Sequence, residues 1–136
     1  MLIASESLFL KRTAQAFRNE KKRAAKCHLE LKYTLEELRS KARGAVACPY
    51  CCCVLTEKDV SFDHMMPVAR RADAYTWTLA NTIPCCQRCN QCKSVLDHDE
   101  FKAVMAVVLR MSPQAQTSVL SRLRAGAARI YGRGKG

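Results

Sequence analysis

The sequence predicts an α+β fold: a small β-hairpin followed by a short helix, with further helices on both sides. Three observations point there. The first forty-odd residues are dominated by Ala, Leu, Lys, Arg and Glu, and the first Gly or Pro is Gly44, a composition that favours helix. Two Cys-x-x-Cys pairs, Cys48/Cys51 and Cys86/Cys89, bracket a segment containing Val54-Leu55 and Val60-Ser61-Phe62. Beyond Asp97, apolar residues return at helical spacing in Phe101, Val104, Met105 and Val108. At 136 residues the length suits one domain. Its parts are a basic helical extension over 1–45, a central module over 46–96, a C-terminal helical pair over 97–131 and a basic flexible tail over 132–136.

Each element has its own signal. Thr34 to Glu37 matches a reciprocal helix cap, which splits the N-terminal region into a helix near residues 4–30 and a second from Leu35 to Ala42, with Gly44 as the stop. Leu8, Phe9 and Phe17 give the first helix an apolar stripe beside the basic Lys11, Arg12 and Lys21 to Arg23. The runs Val54-Leu55 and Val60-Ser61-Phe62, separated by Thr56-Glu57-Lys58-Asp59, read as the two strands of a short hairpin. Residues 68–80 read as a loop, with Asp73 to Trp77 packing over the hairpin. The second cysteine pair opens a helix running toward Ser94. Asp97 with Glu100 caps the next helix, and Ser112-Pro113 starts the last, whose apolar side carries Leu120, Leu123, Ala127 and Ile130.

The charge is uneven. The formal net charge is +11. Residues 1–45 hold eleven Lys/Arg against five Asp/Glu, residues 101–136 hold seven against none, and residues 46–100 hold five against seven. Basic flanks around a near-neutral centre suit a polyanion, with nucleic acid as the leading partner. The competing reading is of Lys and Arg that merely solvate helix faces. No apolar run approaches a membrane span, and the segment Met1 to Glu6 lacks secretory character. Nine cysteines, an odd number with eight of them in two clusters at metal-ligand spacing, fit a reducing cytoplasm better than a secreted disulfide framework.

Two intervening residues let each cysteine pair converge on one ion, so Cys48, Cys51, Cys86 and Cys89 together can build a closed structural zinc site. Such a site ties the ends of the hairpin region together and supplies stability that a small core lacks. Cys52, Cys53, Cys85 and Cys92 leave the ligand set open, because Cys89 to Cys92 repeats the spacing. Cys27 reads as a small apolar helix residue. Asp63 and His64 lie between the pairs. A carboxylate is a hard ligand for Mg²⁺ or Mn²⁺, and a neutral imidazole takes a proton from water near pH 7. Adjacent side chains on a regular strand point to opposite faces, so their convergence calls for a bend or bulge. Alone, an Asp-His pair more often marks a structural histidine; framed by two cysteine pairs it is a strong signal. His98 is a rival ligand at a helix start, and His28 is a surface residue.

The combination Cys48-x-x-Cys51, Asp63-His64-x-x-Pro67, Asn81 and Cys86-x-x-Cys89-Asn90-x-x-Lys93 resembles the HNH nucleases of the His-Me finger, or ββα-metal, superfamily. It covers roughly the middle third of the chain. The resemblance implies a hairpin–helix fold, with His64 as the general base that activates water. Asp63 and Asn90 would hold a catalytic Mg²⁺ or Mn²⁺, and Asn81 would hold the loop and orient His64. It favours Cys86 with Cys89 as ligands, because Asn90 then directly follows the last of them. The implied reaction hydrolyses a DNA phosphodiester to a 5′-phosphate and a 3′-hydroxyl. Two positions depart from the pattern. Asn90 stands where His is usual, giving a weaker neutral ligand, and Ala69 to Ala72 replace the Gly-Gly that often follows the Pro.

Arg70, Arg71, Arg88 and Lys93 are the candidate phosphate contacts, with Arg88 and Lys93 equally suited to covering the zinc knuckle. The expected protein is thus a metal-dependent endonuclease acting on double-stranded DNA. One active centre cuts one strand at a time, so double-strand cleavage calls for a homodimer or sequential nicks. Small free-standing proteins of this kind are common in phages, which would place it in host cytoplasm. The alternative is a non-catalytic zinc module that binds DNA or RNA without turnover. A thiol redox or metal-storage protein explains neither the Asp-His nor the basic flanks.

Overall fold

The computed structural model describes residues 1–131 and is α+β, with five helices and a two-stranded antiparallel sheet among the described residues. The expected flexible tail, 132–136, lies outside the described residues. Helix α1 spans Glu6–Lys26 and starts at Ser5, whose hydroxyl accepts the backbone N–H of Leu8 at 3.2 Å. Such a cap contributes about 1 kcal/mol. The buried residues of α1, Phe9, Thr13, Glu20 and Ala24, fall on one face. Helix α2 spans Leu35–Gly44, two residues longer than expected, and begins with the reciprocal Thr34/Glu37 cap that the sequence signals. It packs against α1, and Arg39 ties the two by donating to Thr13 Oγ1 and the Leu10 carbonyl, each at 2.9 Å.

The expected hairpin is corrected in its partner. Strand β1 is Val60–His64, but it pairs with β2, Thr82–Cys86, and not with Val54-Leu55. The backbone around Val54 is committed elsewhere: Leu55 N–H bonds to the Val46 carbonyl, Cys48 N–H to that of Cys53, and Leu2 N–H to that of Leu55. The first cysteine knuckle and the N-terminal segment therefore take the groups a hairpin would need. The register runs unbroken from Val60↔Cys86 to His64↔Thr82. Residues 65–81 connect the strands through two 3-10 turns, Ala74–Trp77 and Leu79–Asn81, where the sequence read only loop.

Helix α3, Gln87–Lys93, follows β2 directly, opened by Cys86 as expected. Helix α4, His98–Val108, carries the Asp97/Glu100 cap, and α5 spans Pro113–Tyr131. The core gathers Tyr50 and Leu55 beside the knuckle with Phe101, Met105 and Val108 of α4 and Leu120 of α5. Ile130, expected on the apolar side of α5, is exposed, whereas Leu120 and Ala127 are buried. Helices α3 and α5 pack together, so α5 borders the end of the sheet. The N-terminal segment is fixed by Glu57, whose two carboxylate oxygens accept the backbone N–H groups of Ala4 and Ser5 at 3.2 and 3.0 Å. No described helix is long and apolar enough to cross a membrane.

Candidate metal centre and adjoining cleft

The four cysteines of the two knuckles meet. The Sγ atoms of Cys48, Cys51, Cys86 and Cys89 all lie within 4.8 Å of one another, and those of Cys51 and Cys86 are 3.7 Å apart. Cys48 and Cys51 sit in a tight turn closed by Cys52 N–H on the Cys48 carbonyl, and Cys52 takes a φ of 66° to complete it. Cys86 caps α3, its sulfur accepting the N–H of Cys89 at 3.4 Å. Hydrogen bonds from the Cys48 thiol, then from those of Cys86 and Cys89, hold the Cys51 sulfur well below the ordinary thiol range. Four converging sulfurs, three of them almost fully buried, match the donor set of a structural Zn²⁺.

The remaining cysteines stand apart from that quartet in differing degrees. Cys92 is buried and donates to the Leu120 carbonyl of α5 at 3.3 Å, as a packing residue. Cys85 is fully buried, and burial raises its thiol pKa. Cys52 is exposed. Cys53 lies near the centre in a smaller group with Asp59 and Cys86. Cys27, at the end of α1, belongs to neither group.

Asp63 and His64 end β1 without a bulge, so their side chains leave on opposite faces. On one face Asp63, 7% exposed, is held through Oδ2 by the Tyr50 hydroxyl at 2.8 Å and by Lys93 Nζ at 3.2 Å. Burial raises the Asp63 carboxyl pKa, opposed by the Lys93 charge and the Tyr50 hydrogen bond. Tyr50 also contacts His98 Nδ1 at 3.0 Å, which places His98 one residue removed from Asp63. Asn90 reaches the same face from α3, its amide donating to Ser61 Oγ at 2.6 Å and more weakly to the Phe62 carbonyl.

On the other face His64, also 7% exposed, sets Nε2 3.0 Å from Glu20 Oε2 of α1. Its ring stands edge-to-face against Trp77 at 5.1 Å. Asn81, fully buried, clamps the exit from β1: its Oδ1 accepts the Met66 N–H at 2.8 Å, and its Nδ2 donates to the carbonyls of Met66 and Thr76. Met65 N–H bonds to the Asn81 carbonyl as well. Asn81 thus fixes the backbone directly after His64.

A cleft of about 740 Å³ opens where β1 ends, bordered by Asp63, His64 and Asn90 and flanked by Arg23 of α1 and Arg124 of α5. The expected phosphate contacts fare differently. Lys93 is corrected: it is 1% exposed and donates to the His64 carbonyl at 2.8 Å besides pairing with Asp63, so it faces inward. Arg70 is exposed and pairs with Glu100 and, at 3.8 Å, with Asp97. Arg71 is exposed and pairs with Asp73 at 2.6 Å. Arg88 is exposed and lies against the Cys51 sulfur, covering the knuckle. Arg23 belongs to the basic stripe read on the first helix, whereas Glu20, Tyr50 and Arg124 were not singled out as site residues from the sequence. Their roles depend on which distant segment meets β1, and no local spacing announces that.

No protein-family model matches this chain, and no curated protein matches it.

Proposed function

We propose that this chain is a metal-dependent DNA endonuclease of the HNH type, in which β1, β2 and α3 form a ββα-metal module braced by a structural zinc. The observation that carries the reading is the shared cleft. Asp63, His64 and Asn90, separated by up to 27 positions in the motif, border one opening that Arg23 and Arg124 also line, and Cys89 of the four-sulfur cluster directly precedes Asn90. His64 is the general base that takes a proton from the attacking water. Arg23 and Arg124 line the same cleft and suit the phosphates of a bound strand.

The Asp63 carboxylate and the Asn90 amide oxygen are hard donors that suit Mg²⁺ or Mn²⁺. A bound cation would offset the charge that develops on the phosphoryl oxygens and the leaving oxygen. Asn81 holds the backbone directly after His64, and the cysteine cluster fixes α3, and so Asn90, against β1.

One observation favours the non-catalytic alternative. The Lys93 ammonium already offsets the Asp63 charge, and a divalent ion would have to bind beside it. In a zinc-braced binding module the same pair would be purely structural.

The two readings separate when zinc-loaded protein is incubated with an end-labelled DNA duplex and Mg²⁺ or Mn²⁺. The nuclease reading requires metal-dependent products with 5′-phosphate and 3′-hydroxyl ends. Saturable binding with intact DNA under every metal condition supports the binding module.

A further inference from the structure

The buried carboxylate on α1 has no part in the motif and faces the proposed base. Glu20 is 6% exposed, and its side chain touches two partners: His64 Nε2 at 3.0 Å from Oε2, and Arg23 Nη1 at 3.2 Å from Oε1. Burying a carboxylate is costly unless its oxygens are satisfied, and here both are. Its position on the helix face that also buries Phe9, Thr13 and Ala24 places it against the strand end and away from solvent. Trp77 closes the imidazole from another side, edge-to-face.

We infer that Glu20 is the positioning residue for His64, so that helix α1 completes the active site. This rests on the nuclease reading. An ionised carboxylate only accepts hydrogen bonds, so a neutral His64 presents Nε2–H to Glu20 and carries its lone pair on Nδ1. The nitrogen that takes the proton from water is therefore Nδ1, and the Nε2–H bond to Glu20 persists as the imidazolium forms. Glu20 fixes the tautomer and the ring plane, and its charge stabilises the imidazolium, as an orienting group behind a general base does. Arg23 holds the second oxygen, which keeps the carboxylate from rotating away. The basic N-terminal extension is accordingly part of the chemistry as well as a DNA-binding flank.

The test compares wild type, Glu20→Ala and Glu20→Gln, each zinc-loaded and checked for zinc content and fold. ¹⁵N spectra of the histidine ring at a pH where His64 is neutral report the tautomer, and steady-state cleavage of a short DNA duplex with Mn²⁺ reports kcat and KM. Wild type should show a single Nε2–H tautomer. Glu20→Ala should show mixed tautomers and a kcat lowered on the order of 10²-fold, with KM nearly unchanged. Glu20→Gln retains an acceptor oxygen and should keep the tautomer and recover part of kcat. Equal tautomers and equal kcat in wild type and Glu20→Ala overturn the inference. If Glu20→Ala fails to fold, Glu20→Gln decides: an Nδ1–H tautomer in wild type, or in the Gln variant with undiminished kcat, overturns it. If wild type cuts no DNA, the nuclease reading fails by itself, and the ring spectra still show whether Glu20 sets the His64 tautomer.

Discussion

Replacing Lys93 with Met keeps the bulk and removes the charge at a place where the structure leaves little room for compensation. The Lys93 side chain is 1% exposed and that of Asp63 9%. The ammonium bridges the Asp63 carboxylate at 3.2 Å and the His64 carbonyl at 2.8 Å. After Lys93→Met, Asp63 keeps the Tyr50 hydroxyl but loses its counter-charge, and the His64 carbonyl loses a donor. Breaking a buried pair in this way costs about 3–5 kcal/mol. For a chain of this size that is a fall in melting temperature on the order of 10–20 °C. The double variant Lys93→Met/Asp63→Asn leaves no buried charge unpaired and lets Tyr50 donate to the amide oxygen. It should regain about 2 kcal/mol relative to the single variant. Chemical denaturation of the zinc-loaded proteins measures both quantities. A Lys93→Met loss below about 1 kcal/mol, or a double variant equal to the sum of the singles, refutes the assignment of Lys93 to an internal pair. The salt dependence of DNA binding should meanwhile be unchanged by Lys93→Met, because a buried ammonium releases no counterions from phosphate.

Three further outcomes follow from other parts of the chain. Cys48→Ser should lower zinc content and melting temperature together, and an unchanged metal stoichiometry would show that other thiols hold the ion. Arg23→Ala and Arg124→Ala should each make the plot of log binding constant against log salt shallower by about one for each lost phosphate contact; an unchanged slope in both removes them from the DNA interface. A hydrogen bond from its own backbone N–H, and then those from the Ala4 and Ser5 N–H groups, hold the Glu57 carboxyl below its ordinary value of 4.5. A lowered folded pKa contributes stability that is present above 4.5 and lost as pH falls through the folded value. Glu57→Gln should therefore flatten the loss of stability in acid, and identical pH profiles for variant and wild type would contradict this.

The helices were legible because their signals are local. Thr34/Glu37 and Asp97/Glu100 each form the reciprocal cap that their spacing announces. The cysteine quartet was legible for a related reason, since a two-residue gap builds half a metal site regardless of the rest of the chain. Strand pairing was not legible. Val54-Leu55 is apolar and near β1 in sequence, so a tight hairpin looked natural, but its backbone groups are spent on the knuckle and on Leu2. The true partner contains Pro84, which lacks a ladder donor and obscures a strand. It is tolerated opposite Phe62 because a two-stranded sheet has only edges. Lys93 was misplaced by the same kind of blindness: a basic residue at the end of a short helix reads as exposed until Asp63 is known to lie beneath it. Glu20 and His64 are 44 residues apart, and only the packing of α1 against the strand end joins them.

The central claim is hydrolysis of DNA with His64 as the base. It is tested most directly by the conversion of supercoiled plasmid to nicked or linear forms by zinc-loaded protein in Mg²⁺ or Mn²⁺, with His64→Ala and an EDTA control alongside. The account predicts conversion by wild type and its loss in both controls, with zinc content retained in His64→Ala. Equal conversion by wild type and His64→Ala, or binding of the plasmid with no conversion by wild type, would contradict it.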